Sequence, residues 1–287
     1  MFAFLSDFFT KKEIQLFSPI RLSDCEIRKP YLLEREGIAS GTAIMLAIPY
    51  FTAACLDPER NLSAYAVSKD YHGFFRNLFA ELLPLLRERF PEYKFAGFAD
   101  HSPIAELPAA AHAGLGVIGK NDLLLTEPYS SYVFLGELIT DALLPSVSEP
   151  IRSCPDCGAC KRACPKEKLG GCLSELTQKK QPLSDAEQEN LIRYGSVWGC
   201  DLCQECCPYT IQAIQSGSIF TKIPYFSEDP IPRLTLETLD RMTDEEFSSR
   251  AYSWRGRETI RRNLELLRAQ DAQIRTNAHR KGDLCSN

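Results

Sequence analysis

The chain has 287 residues, of which 44% are hydrophobic and 25% are charged. These are the proportions of a soluble globular protein, and they exclude wholesale disorder, collagen-like sequences and coiled coils. The net charge of −5 argues against a protein that is held on nucleic acid by a generally basic surface, while a local basic patch stays open.

The part of the chain before residue 149 predicts strands interleaved with helices. The continuous apolar run Thr42–Pro49 predicts a strand buried on both faces. The apolar spacing over Tyr71–Phe90 predicts a helix that Pro84 kinks. Shorter elements are predicted at residues 8–16 (helix), 94–99 (strand), 108–113 (helix), and 123–126 with 132–138 (a pair of strands). This alternation is typical of an α/β or α+β domain.

The rest of the chain predicts a cysteine-rich segment followed by helices. Gln178–Glu189 is polar and predicts a surface connection. Helices are predicted most clearly over Thr243–Ala251 and Glu258–Ala269, before a polar tail.

No signal peptide or membrane segment is predicted. Met1–Phe9 has no basic residue, Asp7 interrupts its apolar run, and no small-residue cleavage site follows. The longest apolar stretch, Gly41–Leu56, contains a proline and is short for a bilayer span. We therefore expect a cytoplasmic protein, in which thiols stay reduced and clustered cysteines bind metal.

The 12 cysteines are the unusual feature of the composition, because most of them lie close together. They form two runs with one residue between them: Cys154-x2-Cys157-x2-Cys160-x3-Cys164-Pro165, then Cys172, then Cys200-x2-Cys203-x3-Cys207-Pro208. The first run is the ligand pattern of bacterial two-cluster ferredoxins, whose fourth cysteine binds the other cluster. We therefore assign one [4Fe–4S] cluster to Cys154, Cys157, Cys160 and Cys207, and a second to Cys164, Cys172, Cys200 and Cys203.

The alternative to iron–sulfur clusters is a pair of zinc sites, since paired C-x2-C motifs also hold zinc. Zinc does not ordinarily use two consecutive x2 steps followed by x3-C-P. Cys206 could compete with Cys207, but only Cys207 precedes a proline. Cys25, Cys55, Cys206 and Cys285 are interpreted as ordinary thiols.

Outside the cysteines, a glycine pattern and a few polar residues are candidates for chemistry. Gly114-x-Gly116-x-x-Gly119 matches the dinucleotide fingerprint in form, but a helix precedes it and strand-like residues follow, so close approach to another large cofactor is favoured. Lys120 and Asn121 would then offer hydrogen-bond donors. Asp100 follows a predicted strand and is either a functional acid or a turn cap. Tyr71 and His72 follow Asp70, a reasonable helix N-cap, and are either proton carriers or packing residues.

Several segments together resemble the epoxyqueuosine reductase family. They are AIPYF (47–51), SKDYH (68–72), FADHSPIAE (98–106), AGLGVIGKN (113–121), FLGELITD (134–141), both cysteine runs with CLSELTQKK (172–180) and WGCDLCQECCP (198–208), RMTDEEF (241–247) and WRGRETIRRN (254–263). The resemblance covers residues from about 40 to 270, and the motifs occur in the family's order.

The resemblance implies a cobalamin-dependent iron–sulfur reductase, related in fold to the reductive dehalogenases. Its expected organisation is a nitroreductase-like cobalamin-binding domain (1–148), a ferredoxin-like domain with two [4Fe–4S] clusters (149–215) and a C-terminal helical segment (216–287). The expected reaction is the last step of queuosine synthesis, the reduction of an epoxide to an alkene in the anticodon region of tRNA. An external low-potential donor would supply the electrons, and we expect a monomer.

The resemblance also implies roles for individual residues. Asp100 corresponds to the acid that protonates the departing epoxide oxygen. Tyr71 and His72 would line the same pocket, and the glycine-rich loop with Lys120 and Asn121 would hold the edge or tail of the corrin.

The chain departs from the family pattern in four places. His101 stands between the acid and Ser102, Leu107 replaces the usual arginine, and the gap from Cys164 to Cys172 is short. The chain also ends before a tRNA-gripping helical-repeat domain could form, so tRNA would be held by a partner or by a patch such as Arg255, Arg257, Arg261 and Arg262. Two other functions therefore stay open, reduction of a small molecule and electron transfer to a partner protein.

Overall fold

The computed structural model describes residues 1–269, which form two compact units. Unit 1 comprises residues 1–52, 70–162 and 203–228, and unit 2 comprises residues 53–69, 163–202 and those from 229 onward. The units interleave along the chain, whereas the sequence suggested three consecutive segments, and that functional division stays a prediction. Cys285 and the polar tail lie outside the described residues. None of the described helices is long and apolar enough to span a membrane.

The strands belong to unit 1. In chain order they are β1 (Leu16–Arg21), β2 (Thr42–Pro49), β3 (Phe95–Phe98), β4 (Val117–Ile118), β5 (Leu124–Leu125) and β6 (Val133–Thr140). Four form an antiparallel sheet in the order β1-β2-β6-β3, and β4 pairs with β5 separately. The prediction of a strand buried on both faces at β2 is confirmed, because every one of its residues is buried. The mixture of helix and sheet is confirmed as well, and antiparallel pairing makes the unit α+β.

The helices occur in both units. In chain order they are α1 (Phe2–Lys11), α2 (Pro30–Glu36), α3 (Tyr71–Arg89), α4 (Glu106–His112), α5 (Ala159–Ala163), α6 (Lys166–Leu169), α7 (Leu173–Gln178), α8 (Asp185–Tyr194), α9 (Leu202–Glu205), α10 (Pro208–Gln215), α11 (Leu236–Arg241), α12 (Asp244–Ser248) and α13, whose described part is residues 257–269. The predictions of helices at α3, α4, α12 and α13 are confirmed to within a few residues.

Three local predictions are wrong. The helix expected at residues 8–16 ends at Lys11, where the positive φ of Glu13 turns the chain toward β1. The polar segment 178–189 is not all connection, because Ser184 and Glu187 form a capping box that starts α8. The strands near residues 124 and 133 do not pair with each other, since a turn closed by Gly119 N–H and Leu123 O pairs β5 with β4.

Two glycines in the sheet of unit 1 receive aromatic rings from α3. A Cβ at Gly97 in β3 would overlap the Phe79 ring, and one at Gly136 in β6 would lie 2.5 Å from Phe75 Cε1. Close approach of α3 to the sheet therefore depends on both glycines. The N-terminal end of α3, with Tyr71 and His72, therefore belongs to the same unit as the loop that follows β3.

In unit 2, α13 ties together the segments that carry Cys172 and Cys200. Asn263 is fully buried, and its side-chain amide donates to the carbonyls of Thr177 and Val197 at 2.8 and 2.9 Å. Gly199 N–H in turn donates to Thr177 Oγ1 at 2.9 Å. A buried amide with both donors satisfied fixes its partners strongly, so this helix supports the cysteine-bearing segments.

Candidate active site and cysteine cavities

Asp100 stands on a tight turn immediately after β3. Its backbone has φ +64°, a left-handed conformation that aspartate tolerates better than most residues. Its backbone N–H donates to Glu106 Oε1 at 3.1 Å, while its own side chain is 68% exposed. The turn therefore fixes the backbone and presents the carboxyl group to solvent. The predicted acid is accessible to a substrate.

His72 lies between two carboxylates of unit 1. Its Nδ1 is 2.9 Å from Asp70 Oδ1, and its Nε2 is 3.7 Å from Asp100 Oδ2. Asp70 also caps α3 by accepting the His72 backbone N–H. The hydrogen bond to Asp70, and to a smaller extent the charges of Asp70 and Asp100, raise the pKa of His72. The imidazole therefore holds its proton next to Asp100 to a higher pH than an ordinary histidine does.

Tyr71 forms part of an aromatic stack. Its ring lies 4.2 Å from that of Phe134 at an interplanar angle of 12°, and Phe134 stacks on Tyr50, also at 4.2 Å. The Tyr71 and His72 rings lie 4.1 Å apart. The structure thus places His72 next to Asp100 and Tyr71 next to His72, with Phe134 and Tyr50 behind Tyr71. That Tyr71 and His72 line one pocket with Asp100 stays a prediction. Phe134 and Tyr50 are buried, so the stack holds the Tyr71 ring in a fixed position beside the polar residues.

His101 is held by two residues that sequence reasoning missed. Its Nδ1 lies 3.1 Å from Lys29 Nζ, and its Nε2 lies 3.1 Å from Tyr31 Oη. An ammonium group only donates, so Nδ1 accepts and the ring hydrogen is on Nε2. Lys29 and Tyr31 lie far from the loop in sequence, and nothing local signals the contact. The residue that departs from the family pattern is thus fixed beside the acid.

Glu106 and Glu137 were missed as well. Glu137 is fully buried in β6, and Glu106 is the first residue of α4. A glutamate within the apolar strand FLGELIT was a signal that could have been used, because a charge is almost never buried without a partner. Burial raises the pKa of Glu106 to about 7 and that of Glu137 well above its usual range.

Cysteines of both runs line one cavity of about 250 Å³ in unit 1. Its cysteine lining consists of Cys154, Cys157, Cys160, Cys203 and Cys207. The first run is fixed locally, because Cys154 N–H donates to Ile118 O at 3.0 Å and so extends β4. The four residues assigned to the first cluster therefore surround a common space. Four cysteine thiolates are the donor set that a [4Fe–4S] cluster requires.

The glycine-rich loop borders this same cavity. Gly119, Lys120 and Asn121 line it, and Lys120 Nζ lies 3.6 Å from Asp156 Oδ2. Gly116 has a local reason to be glycine, since a Cβ there would overlap the Leu125 carbonyl oxygen across the β4–β5 pair. Gly114 follows α4 with φ +79°. The loop is thus shaped by its turn, and its end lies at the cysteine cavity.

Three of the ligands predicted for the second cluster lie in unit 2. Burial, then the charge of Asp201 and after it the neighbouring Cys172 and Cys164, raise the pKa of Cys200 to about 11. The fourth, Cys203, belongs to unit 1 and lines the cavity described above. Within residues 1–269, no three Cys, His, Asp or Glu side chains converge as they would around a single metal ion.

Three of the four arginines suggested as an RNA-binding patch are engaged in the fold. Arg257 donates to the carbonyls of Leu239, Met242 and Thr243. Arg261 pairs with Asp240, and Arg262 donates to the carbonyls of Lys179 and Gln181. Arg255 instead stacks at 4.0 Å on Trp254, which is 60% exposed, and it borders an open cleft of unit 2 that also contains Lys180.

No family model matches the chain. Among curated proteins, the epoxyqueuosine reductase of Listeria monocytogenes is 34% identical over 218 residues, covering 70% of this chain and 55% of the relative. Those of Gloeobacter violaceus and Cyclobacterium marinum are each 33% identical, covering 72% and 74% of this chain and 68% and 69% of the relatives. The chain thus spans little more than half the length of the Listeria relative.

Solved structures of epoxyqueuosine reductases share the fold of this chain. The epoxyqueuosine reductase of Streptococcus thermophilus aligns with a TM-score of 0.75 at 22% identity, over 93% of this chain and 80% of that one. A structure of an epoxyqueuosine reductase with an epoxyqueuosine-modified tRNA stem loop aligns with a TM-score of 0.70 at 23% identity, over 93% of this chain and 81% of that one.

Proposed function

The chain belongs to the epoxyqueuosine reductase family, and on that premise we propose that it is an oxidoreductase that converts epoxyqueuosine to queuosine in the anticodon region of tRNA. The observation that carries the proposal is the pairing of an exposed Asp100 carboxyl with His72 in the unit that holds the cysteine cavity. An acid for the epoxide and a site for an electron carrier are the two parts that the reaction needs.

The proton requirement of the reaction matches this arrangement. Removing an epoxide oxygen as water to leave an alkene consumes two electrons and two protons. Asp100 would give one proton to the departing oxygen, because an alkoxide is a poor leaving group at neutral pH. His72, held by Asp70, would supply the other by reprotonating Asp100. Its distance of 3.7 Å from Asp100 is longer than a hydrogen bond, and such contacts often shorten when a substrate is bound.

The cysteines would hold the electron carriers. Cys154, Cys157, Cys160 and Cys207 fit one [4Fe–4S] cluster, because they surround a single cavity. Cys164, Cys172 and Cys200 are the proposed ligands of the second, and the assignment of Cys203 to it stays a prediction from spacing. Such clusters carry single electrons, often at low potential, so an external low-potential donor is part of the proposal.

Cobalamin, when bound, would supply two-electron reducing chemistry for the epoxide. The residues proposed to hold it are Tyr71, His72 and the loop with Gly114, Gly116, Gly119, Lys120 and Asn121. The contact of this loop with the cysteine cavity supports the assignment, since a cofactor held there would adjoin the first cluster. The stacking of Tyr71 on Phe134 would fix the Tyr71 ring for its contact with the cofactor.

The test is turnover by the anaerobically reconstituted protein with cobalamin, a low-potential reductant and an epoxyqueuosine-containing tRNA stem loop. We expect queuosine to form, and we expect Asp100→Asn to abolish its formation while Asp24→Asn, an exposed aspartate of the same unit, leaves it unchanged. Cobalamin binding without turnover of the RNA would instead favour reduction of a small molecule. Reducible clusters without any cobalamin binding would favour an electron-transfer protein.

A further inference from the structure

Two glutamates that the proposed mechanism does not use lie against the Asp100 turn. Glu137 is fully buried in the sheet, and its burial and the charge of the neighbouring Glu106 carboxyl raise its pKa. Glu137 Oε1 accepts the Ser102 hydroxyl. Glu137 Oε2 is buried and has no donor among the described residues.

The burial and proximity of the two carboxyl groups favour a proton between them. Ionised carboxylates only accept hydrogen bonds, so two of them cannot bond to each other. Two like charges side by side away from water are also strongly unfavourable, and one carboxyl group then keeps its proton. A single proton shared by Glu106 and Glu137 removes the repulsion and gives Glu137 Oε2 its missing donor.

The pair is attached to the turn at two points. Glu106 Oε1 accepts the Asp100 backbone N–H at 3.1 Å. Ser102 Oγ donates to Glu137 and accepts the Ile104 backbone N–H at 3.0 Å. Asp100 adopts φ +64°, an uncommon backbone conformation that these two attachments help to hold. The two attachments lie on either side of His101.

We propose that Glu106 and Glu137 form a proton-sharing pair that positions the turn bearing Asp100. With one proton, the pair holds the backbone at Asp100 and Ser102 and directs the acid outward toward His72. Loss of that proton leaves two buried negative charges beneath the turn and loosens it. Both glutamates are positioning residues, and their importance for turnover rests on the proposed function of Asp100.

The other charged or titratable groups around the pair are few. The Asp100 backbone N–H and the charge of Lys29 favour the ionised form of Glu106, whereas the charge of the Asp100 carboxyl group opposes it. Cys25 faces Glu137, and burial raises the pKa of this thiol to about 12, so it stays neutral. The proton of the pair therefore responds mainly to the burial of both carboxyl groups and to the charges of Lys29 and Asp100.

Substitution of Glu106 by glutamine separates the hydrogen bonds that position the turn from the space that the side chain fills. In Glu106→Gln, the side-chain oxygen can still accept the Asp100 N–H, and the amide group can donate to Glu137 without any shared proton. Glu106→Ala loses both contacts. The first measurement is hydrogen–deuterium exchange of the peptide that spans the turn, corrected for intrinsic rates, from pH 6 to pH 9. It needs neither substrate nor cofactor turnover.

We expect exchange in the wild-type turn to rise only above about pH 7, where Glu106 is already ionised and Glu137, whose pKa burial and the Glu106 charge hold well above its usual range, gives up the shared proton. Glu106→Gln should stay protected throughout, and Glu106→Ala should exchange rapidly at every pH. Glu26→Gln, an exposed glutamate of the same unit, is the control and should behave as wild type. Equal protection of the turn in Glu106→Ala and Glu106→Gln would overturn the proposal, and so would a rise in exchange that persists in Glu106→Gln.

The second measurement is turnover at a fixed pH near 6. Glu106→Ala should lower kcat about 10- to 100-fold, as expected for a displaced acid, with KM little changed, and Glu106→Gln should restore most of it. If Glu106→Ala fails to fold, Glu137→Gln is measured instead. Its amide group can donate to Glu106 without a shared proton, so kcat should stay close to that of wild type. Absence of wild-type turnover would contradict the proposed function and leave the exchange test intact. Equal kcat for wild type and a folded Glu106→Ala would contradict the positioning role.

Discussion

The Nε2 atom of His72 lies 3.7 Å from the Oδ2 atom of Asp100, and its Nδ1 atom lies 2.9 Å from Asp70 Oδ1. The N-terminal end of α3 and the end of β3 thus bring a histidine between two aspartates. Asp70 both caps the helix and orients the ring. In the proposed mechanism, the capping residue of the helix thereby becomes part of a chain of proton-carrying groups.

His72→Gln is expected to lower kcat by about 100-fold, a typical loss for a residue that transfers a proton. Because Asp70 raises the pKa of His72, the protonated ring is present below that raised pKa and is lost as the pH rises through it. Asp70→Asn should therefore move the alkaline fall of activity to lower pH. Single-turnover rates as a function of pH measure both effects. His112→Gln is the control. An unshifted profile in Asp70→Asn would count against proton transfer through His72.

The free energy of unfolding should fall as the pH rises. The pKa of Glu106 is about 7 in the folded chain against 4.5 for the ordinary group, so folding favours the protonated form. That contribution is complete below about pH 4.5 and is lost as the pH rises through about 7. Urea-unfolding midpoints between pH 5 and pH 8 should drop less in Glu106→Gln than in wild type. Parallel curves for the two proteins would be inconsistent with this assignment.

Cys207→Ser and Cys206→Ser should differ in iron content. Cys207 lines the cysteine cavity and precedes Pro208, while Cys206 Sγ is directed to Cys203 O at 3.6 Å. We expect Cys207→Ser to lose one of two clusters and Cys206→Ser to keep both after anaerobic reconstitution. Iron and sulfide per chain, with electron paramagnetic resonance of the reduced protein, measure this. Loss of a cluster in Cys206→Ser alone would reverse the assignment.

Gly97→Ala should destabilise unit 1 by about 1–3 kcal/mol, because the new methyl group would overlap the Phe79 ring and overpack the contact between α3 and the sheet. Gly171→Ala is the matched control. A Cβ at that position would come no closer than 3.8 Å to its neighbour, Glu175 Oε2. Thermal unfolding distinguishes the two variants, and equal melting temperatures would show that α3 can move away at little cost.

Arg255 and Arg257 should behave differently in RNA binding. Arg255→Ala should weaken binding of the tRNA stem loop and reduce the salt dependence of the affinity, in line with one lost phosphate contact. Arg257→Ala should mainly lower the melting temperature, because its guanidinium group donates to the carbonyls of Met242 and Thr243 at 2.8 Å. Fluorescence anisotropy at several salt concentrations measures the first effect. Unchanged affinity in Arg255→Ala would exclude this residue from the interface.

The sequence predicted the elements whose signals are local. The strand Thr42–Pro49 was evident from an unbroken apolar run, and the helix from Tyr71 from its apolar spacing. The helix that begins within segment 178–189 was not predicted, because the prediction followed the polar composition of the segment and not the capping box that starts the helix. Propensity and composition are averages over a window, whereas a cap depends on two particular side chains.

The sequence by itself determined the cysteine pattern and the family, because ligand spacing and motif order are properties of neighbouring residues. Only the tertiary structure decided which polar groups surround Asp100. His72 and Glu137 come from other elements, and Lys29 and Tyr31 reach the turn through His101. The buried carboxyl pair shows why. A proton shared by Glu106 and Glu137 depends on burial and on the distance between two groups, and both are set by the packing of α4 against the sheet.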